Sequence, residues 1–301
     1  MSDITIVGSN MIDLQIFIER MPLAGETVEA PDFSLGFGGK GSNQAVAATR
    51  LGSAVRLITM VGSDDFGQQQ LSNYQKNGIV TDCIRVGKKA SGVAPIFVNK
   101  EGENSIIIVK GANNELTPAK VQDYQDVIAN SKLVVLQQEI PLKTNEEVIK
   151  LANQYGVDVL LNPAPASQDV SLQNISQVQF YAPNETELAQ ITSLPTNNLT
   201  EIKTAARKIV AAGVENVIVT MGAQGVLWVT KENEKIISGQ KVKAIDTTGA
   251  GDAFIGAFAH YYTVGSDIAT ALEKANRYAA LSTTKRGTQS SYLTRDELAA
   301  L

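Results

Sequence analysis

The chain of 301 residues contains a single cysteine, Cys83, and a single histidine, His260. One cysteine excludes an internal disulfide and a cysteine-based metal cluster. No apolar run approaches the length of about 18 residues needed to span a membrane. The formal net charge of −5 disfavours a phosphate backbone as partner. The first residues, MSDITIVGSN, lack the basic flank of a signal peptide. We therefore expect a soluble, cytoplasmic protein that binds neither nucleic acid nor a membrane.

Short β-branched runs alternate with longer segments of helical period. The runs are ITIVG, VRLITMVG, LVVLQQE, VDVLLNPAP, FYAPNE and NVIVTMG, and the helix candidates include SNQAVAATRLG, NEEVIKLANQYG and EIKTAARKIVAAG. The last two are predicted to end at Gly156 and Gly213, where glycine favours a left-handed cap. Alternation with nearly all-apolar strands predicts an α/β fold of three layers, α/β/α, around a mostly parallel sheet.

Two stretches interrupt this alternation, at about residues 14–37 and 91–111. The first reads as strand-like pieces separated by turns at MPLAGE and EAPD, and the second as a hairpin around NKEGEN. Neither is typical of a crossover helix. We interpret both as insertions that build a small second sheet, a candidate lid, within one domain that spans residues 1–301.

The segment AIDTTGAGDAFIGAFAHYY is the most informative for chemistry. Gly249, Ala250 and Gly251 allow close approach of a ligand, and the following periodicity predicts that a helix begins there. Free N–H groups at a helix N-terminus form an anion site. With Asp252 in the first turn, the segment combines an anion hole and a carboxylate, as phosphoryl transfer requires. The alternative is an ordinary glycine loop in which Asp252 only favours the helix terminus.

The segment LGFGGKGSNQAV contains GFGGKG, which matches the dinucleotide-binding pattern but does not directly follow the first strand. It is not a P-loop, because Gly41 follows Lys40 where serine or threonine is required. A tight glycine loop leading to a helix with Asn43 in its first turn suits a small polyhydroxyl ligand. The alternative is a turn that merely packs.

Other polar residues follow predicted strands, where ligands collect in open α/β sheets. They are Asn10 and Asp13 after the first strand, Glu139 in LQQEIP, and Asn184, Glu185 and Glu187 in APNETE. An asparagine and a glutamate three residues apart can organise water around Mg²⁺, which keeps few protein ligands. Glu185 and Glu187 can equally be a solvated pair.

Three further features allow simpler interpretations. Gly222 and Gly225 in TMGAQGVLWV indicate a turn between strands, suitable for packing a nucleotide or for a plain hairpin. For His260, within an apolar helix, we predict packing or a local hydrogen bond, and for Cys83 we also predict packing.

Together these segments resemble the ribokinase family of sugar kinases, also described as PfkB-type carbohydrate kinases. The similarity extends through GGKGSNQA, PNETE, DTTGAGDAF and KRGTQSS in order. It implies a central α/β sandwich with a small β lid that commonly forms a homodimer interface. It also implies that ATP and Mg²⁺ are used to phosphorylate a sugar hydroxyl, with K⁺ as an activating cation.

The resemblance also implies residue roles. Asp252 is the expected base, with Gly249, Ala250 and Gly251 as the anion hole. The expected sugar contacts are Met11, Asp13, Gly39, Lys40, Gly41, Ser42, Asn43, Glu139 and Asp252. The expected ATP contacts are Asn184, Thr220, Met221, Gly222, Ala223, Gln224, Gly225, Gly251, Asp252 and Asn276. The expected K⁺ ligands are Asp246, Thr248, Ser282, Lys285, Gly287 and Ser291, and Glu187 is expected to act on Mg²⁺ through water.

One position departs from the ribokinase pattern. Ribokinases typically have asparagine near the C2 hydroxyl of the sugar, where this chain has Met11. A thioether offers apolar surface and almost no hydrogen bonding. We therefore expect 2-deoxy-D-ribose as substrate, phosphorylated at O5, with weaker activity on ribose. GSNMIDL and GTQSSY also resemble deoxyribokinases as a group. The alternatives are a ribokinase with a packing substitution, another kinase of the family that acts on a nucleoside or a keto-sugar acid, and a non-catalytic sugar-binding regulator.

Overall fold

The computed structural model describes residues 3–100, 103–167, 169–170 and 172–301. Its strands are β1 (Ile4–Val7), β2 (Met11–Phe17), β3 (Asp32–Gly38), β4 (Val55–Val61), β5 (Ile84–Val86), β6 (Val93–Val98), β7 (Asn104–Ile106), β8 (Leu133–Leu136), β9 (Asp158–Leu161), β10 (Phe180–Tyr181), β11 (Asn216–Thr220), β12 (Gly225–Val229) and β13 (Glu234–Ser238). Its α-helices are α1 (Lys40–Arg50), α2 (Asp65–Lys76), α3 (Pro118–Gln122), α4 (Gln125–Ala129), α5 (Leu142–Gln154), α6 (Leu172–Ile175), α7 (Glu185–Thr192), α8 (Leu199–Ala211), α9 (Ala250–Thr263), α10 (Ile268–Ser282) and α11 (Arg295–Ala299). Short 3₁₀ turns cover Gly111–Glu115, Gly222–Gln224 and Gln289–Ser291.

The central sheet has nine strands in the order β13-β12-β11-β10-β9-β8-β1-β4-β5. All pairs from β11 to β5 are parallel, and the pairs β11–β12 and β12–β13 at one edge are antiparallel. The six apolar runs identified in the sequence are all strands of this sheet. The predicted mostly parallel sheet is confirmed.

Helices cover both faces of the sheet because successive strand side chains point to opposite sides. In β1, Ile4 and Ile6 join a core cluster with residues of α1, α9 and α10, whereas Val7 joins a cluster with residues of α5 and α8. The three-layer α/β/α architecture is thus confirmed. Gly156 and Gly213, with φ of 67° and 115°, follow α5 and α8 as the predicted caps.

The second sheet has four strands in the order β3-β2-β6-β7. The pairs β2–β3 and β6–β7 are antiparallel, and β2–β6 is parallel. The two predicted insertions do form one small sheet, although β2 begins at Met11, before the expected boundary. Among the described residues, no helix is both long and apolar enough to cross a membrane. The cytoplasmic location stays a prediction.

Candidate active site

Charged side chains from both sheets converge at the carboxyl edge of the central sheet. Asp13 lies on β2, Lys40 begins α1, Glu139 follows β8 and Asp252 lies in the first turn of α9. Burial opposes the charge of Lys40, but the carboxylates of Asp252, Glu139 and Glu187 outweigh that effect and raise its pKa. The structure therefore brings the predicted base and the charged residues of the predicted sugar site together.

The carboxylate of Asp252 is buried and held by two amides from α1. Asn43 Nδ2 donates to Oδ2 at 2.8 Å, and Gln44 Nε2 donates to Oδ1 at 3.0 Å. Each oxygen keeps further lone pairs, because an ionised carboxylate has about four acceptor sites. The arrangement fixes the direction of the carboxylate and leaves capacity to accept a proton from a hydroxyl.

Helix α9 begins at the predicted anion hole. Gly249 is its N-cap with φ of 75°, and the first intrahelical bond runs from Ala253 N–H to the Gly249 carbonyl. The earlier N–H groups, including that of Gly251, are those a helix N-terminus offers to an anion. A methyl group on Gly251 would meet no atom within 4 Å, so open space lies in front of it. Tyr292 Oη donates to the Gly249 carbonyl at 2.9 Å and holds the loop in place.

The glycines of the loop before α1 pack closely against the end of β1. A Cβ on Gly39 would lie 2.5 Å from Asn10 Cα, and one on Gly41 would lie 2.7 Å from Ser9 N. This close packing requires glycine at both positions whether or not a ligand binds there. The contact of Gly39 and Gly41 with the sugar stays a prediction.

Glu139 connects the two loops that meet here. Its Oε2 accepts hydrogen bonds from Ser9 Oγ and, at 2.9 Å, from Lys40 N–H. Glu139 is 5% exposed. It anchors the start of α1 and keeps a buried carboxylate beside the predicted sugar site.

Burial and the nearby charges of Glu139 and Asp252 disfavour the ionised form of Asp13 and raise its pKa to about 7. The folded state then binds this proton more tightly than the unfolded chain does. Stability from this group is therefore lost as the pH rises from 3.8 to about 7. We expect Asp13→Asn to stabilise the fold by on the order of 2 kcal/mol at pH 8 and by less at pH 5.

Thermal unfolding of the parent and Asp13→Asn proteins at both pH values measures this difference. Asp32→Asn, an exposed carboxylate at the far end of the paired strand β3, is the control. If Asp13→Asn gained more stability at pH 5 than at pH 8, the assigned direction of the Asp13 pKa shift would be wrong.

Met11 is 2% exposed and packs with Ala94 and Ile96 on one face of the small sheet. Asp13 lies two residues along β2, and successive strand residues alternate in direction. Met11 and Asp13 therefore lie on the same face of the small sheet. On that face the charge of Asp13 interacts with the charges of Glu139 and Asp252. Asn10, by contrast, donates to Thr59 Oγ1 and to the Met60 carbonyl, each at 2.8 Å, inside the central sheet. The expectation that Asn10 faces a ligand is wrong.

A cleft of about 670 Å³ lies beside the start of α9, a volume usual for a small-molecule site. Of the predicted ATP contacts, it is lined by Asn184, Thr220, Gly222, Ala223, Gly225, Gly251 and Asn276. Met221, 3% exposed, and Gln224, which is exposed, do not line this cleft, and the carboxylate of Asp252 is held by α1 beside it. The contact of these three residues with ATP stays a prediction. Gly222 and Gly225 form the predicted turn, between the antiparallel strands β11 and β12.

Much of this lining was not predicted from the sequence. The missed residues include Lys241, Val242, Ala244, Thr247, Phe254, Ala279, Ala280 and Thr283. On α10 the signal was present, since Asn276, Ala279, Ala280 and Thr283 recur at the spacing of one helix face. The segment around Lys241 has no regular period that could have revealed it.

Asn184 and Glu187 form a capping box at the start of α7. Asn184 Oδ1 accepts from Glu187 N–H, and Glu187 Oε2 accepts from Asn184 N–H, both at 2.8 Å. Burial is the main reason that the pKa of Glu187 is raised. Within the described part of the chain no cluster of three or more acidic, histidine or cysteine side chains could hold a metal. The residues fit Mg²⁺ only if water and phosphate oxygens supply most of its ligands.

The predicted cation ligands lie on two neighbouring loops. Asp246 Oδ1 accepts from Thr248 N–H and Oδ2 from Gly287 N–H, both at 2.9 Å. Burial opposes ionisation of Asp246, but these hydrogen bonds outweigh it and lower its pKa. The Lys285 ammonium faces Glu297 at 3.6 Å, which leaves only its carbonyl as a ligand.

Ser282 and Ser291 in the same region are buried, and their hydroxyls donate to carbonyls within their own turns. Carboxylate and carbonyl oxygens are donors that suit a hard cation, so the residues present fit K⁺.

His260 and Cys83 have the local roles predicted. His260 Nδ1 is 2.7 Å from Ser53 Oγ, and burial, followed by Arg295, lowers its pKa to about 4. Cys83 is buried within the second core cluster.

Known proteins resemble this chain over nearly its whole length. The pfkB family carbohydrate kinase profile matches residues 1–295. A deoxyribokinase of Salmonella typhi is 46% identical over 291 residues, which cover 96% of this chain and 95% of that protein. A ribokinase of Bacillus subtilis is 39% identical over 302 residues, covering 100% and 99%. The structure of Arabidopsis thaliana ribokinase complexed with ribose and ATP superimposes with a TM-score of 0.93 at 30% identity, covering 99% and 98%. The chain therefore belongs to the pfkB family of carbohydrate kinases, and its activity is that of a sugar kinase.

Proposed function

We propose that this protein transfers the γ-phosphoryl group of ATP to O5 of 2-deoxy-D-ribose, giving 2-deoxy-D-ribose 5-phosphate, with weaker activity on ribose. The observation that carries the proposal is Met11, buried beside Ala94 and Ile96 on the face that also carries Asp13. The 46% identity to a deoxyribokinase supports the same substrate.

The substrate preference follows from desolvation. Against the C2 methylene of deoxyribose, the Met11 thioether is a complementary apolar surface. Against ribose it leaves the 2-hydroxyl without a partner, which costs about 1–3 kcal/mol by the usual penalty for a buried unpaired polar group. Discrimination of about a hundredfold is the most that an apolar pocket gives against an added hydroxyl. Ribose is therefore a poor substrate but not an excluded one.

In the proposed reaction the O5–H group of the sugar lies against Asp252. A bond forms between O5 and the γ-phosphorus while the bond from that phosphorus to the β,γ-bridging oxygen breaks, and the O5 proton passes to Asp252. The N–H groups of Gly249 and Gly251 face the charge of the transferred group, and that of Ala250 joins them on leaving the Thr247 carbonyl, to which it donates at 3.2 Å in this structure. The Asn43 and Gln44 amides orient the carboxylate, which matters more than its basicity when the transition state is loose.

Two cations are part of the proposal. When bound, Mg²⁺ neutralises phosphate charge; Glu187 would hold it through water. The loop around Asp246, with the carbonyls of Lys285 and Gly287, would hold K⁺ behind the start of α9. The hydrogen bond from Gly287 N–H to Asp246 joins these two loops, and the one from Thr248 N–H fixes the Asp246 carboxylate within its own loop.

The first test is steady-state ADP formation with ATP, Mg²⁺ and K⁺, comparing kcat/KM for 2-deoxyribose and ribose. A clear preference for deoxyribose is expected. A preference for ribose would make the protein a ribokinase in which Met11 is a packing substitution. Sugar binding without ADP release would favour the regulator instead.

We also propose that the small sheet forms a homodimer interface. Its outer face is apolar, and Phe33 and Leu35 are 53% and 52% exposed there. Cross-strand pairing places Leu14 and Ile16 on the same face. A contiguous apolar patch of this kind is typical of a contact surface, and a twofold dimer can bury it against itself.

We expect the double variant Phe33→Glu and Leu35→Glu to be monomeric, because two charges would be desolvated in the interface. Light scattering after gel filtration measures the mass. Ile236→Glu, on the exposed edge strand β13, is the control and is expected to leave the mass unchanged. A monomeric parent protein, or a double variant that remains dimeric, would refute this interface.

A further inference from the structure

A chain of side-chain amides connects a distant arginine to Asp252. We call Asn77, Asn73, Gln289 and Asn43 the amide relay. Arg50, at the end of α1, begins it, and Asp252 ends it. Every link is a hydrogen bond of 2.8–3.1 Å.

The first half of the amide relay is oriented by Arg50. A guanidinium can only donate, so the oxygen of Asn77 must face it. Arg50 Nε donates to Asn77 Oδ1 at 2.9 Å. The Asn77 NH₂ group is thereby turned toward Asn73, and Nδ2 donates to Asn73 Oδ1 at 3.1 Å. Arg50 itself is held by the carbonyls of Gln289 and Tyr292, both at 2.7 Å.

The hydrogen bonds in the second half of the amide relay run in the same donor-to-acceptor direction. Asn73 Nδ2 donates to Gln289 Oε1 at 2.9 Å, and Gln289 Nε2 donates to Asn43 Oδ1 at 3.0 Å. Asn43 is left with its NH₂ group toward Asp252, to which it donates at 2.8 Å. Ser42 also lies beside Gln289, but a hydroxyl accepts or donates equally and fixes no direction.

We propose that Arg50 is a positioning residue for the reaction, which acts through the amide relay to set which end of the Asn43 amide faces Asp252. A reversed Asn43 would present its oxygen to the carboxylate and turn it away from the sugar. This inference rests on the proposed role of Asp252 as base. The other carboxylate oxygen is held independently, because Asn162 donates to the Ala182 carbonyl and so presents its oxygen to Gln44.

The decisive variant is Asn77→Asp. A carboxylate there still accepts from Arg50, but it can donate neither to Asn73 Oδ1 nor to the Asn73 main-chain carbonyl, to which Asn77 Nδ2 also donates at 2.9 Å. The Asn73 amide then reverses toward the new acceptor, and Gln289 and Asn43 reverse in turn. We expect kcat to fall about tenfold, part of the loss that follows a misplaced reacting group, with KM for ATP unchanged and the melting temperature slightly lowered by the lost bond to the Asn73 carbonyl. Asn73→Asp is expected to behave alike. Gln75→Glu adds the same charge to an exposed site on α2 and is expected to leave kcat unchanged.

A double-mutant cycle separates the relay from general damage. In an Asn43→Ala background, Asn77→Asp should cause no further loss of kcat, because the effect travels through Asn43. An unchanged kcat in Asn77→Asp, or a full additional loss in the Asn43→Ala background, would overturn the proposal. A parent protein that forms no sugar-dependent ADP would refute the proposed function instead. The relay is then still tested by the NH₂ resonances of Asn43, which should shift in Asn77→Asp and not in Gln75→Glu; unshifted resonances would overturn it.

Discussion

Asp252→Asn is expected to lower kcat by at least about a hundredfold, the low end of general-base effects, while sugar binding and the fold are retained. The carboxamide has the shape of the carboxylate and stays at the start of α9. It cannot take the O5 proton, and it meets two amide donors, from Asn43 and Gln44, with only one oxygen. Steady-state ADP formation gives kcat, and calorimetry with 2-deoxyribose gives the affinity.

The matched control is Asp65→Asn. Asp65 also lies in the first turn of a helix, α2, but it is exposed and is not among the residues assigned to the site. It is expected to change kcat by less than about twofold, as surface substitutions usually have small effects. If Asp252→Asn turned over at a rate near that of the parent, Asp252 would be no more than a helix-terminus residue.

Met11→Asn is expected to shift the ratio of kcat/KM for 2-deoxyribose and ribose toward ribose, by up to about a hundredfold, the limit set by an apolar pocket. Asparagine supplies a partner for the 2-hydroxyl and removes the apolar surface that suits the C2 methylene. The added hydrogen-bond partner and the lost apolar surface both favour ribose over 2-deoxyribose. Competition between the two sugars in one reaction, with product analysis, measures the ratio directly.

Met11→Leu is the control for this prediction. Leucine preserves apolar surface among Ala94 and Ile96, so the ratio should remain close to that of the parent. An unchanged ratio in Met11→Asn would mean that some other residue discriminates at C2. A ratio that moved equally in both variants would point to packing of the small sheet.

The fold was predictable because its signals are local. Six apolar runs, glycine caps at Gly156 and Gly213, and two stretches that break the helical period were sufficient to predict both sheets. The start of α9 was predictable for the same reason, since glycine and an acidic residue precede an apolar period within a few residues.

The residues whose roles were not predicted have one thing in common, which is that their partners lie far away along the chain. Asn10 was assigned to a ligand because it follows a strand, yet its amide faces Thr59 on the neighbouring strand. The close packing of Gly39 and Gly41 against the backbone of Asn10 and Ser9 was likewise not visible in the glycine pattern of their loop. Gln289 was noted only as part of GTQSSY and Asn73 not at all, because an amide reveals its partner only after the chain has folded.

The hydrogen bonds that reach Asp252 also determine when this enzyme becomes active during its synthesis. Gln289 lies 246 positions after Asn43, and Arg50 binds carbonyls 239 and 242 positions further along. Domains generally fold as the chain emerges from the ribosome, N-terminal part first. A nascent chain that has already completed the central sheet still lacks Gln289, the partner of Asn43. If Asp252 is the base as proposed, full turnover is expected only after the Thr288–Tyr292 turn has been made and has closed against α1.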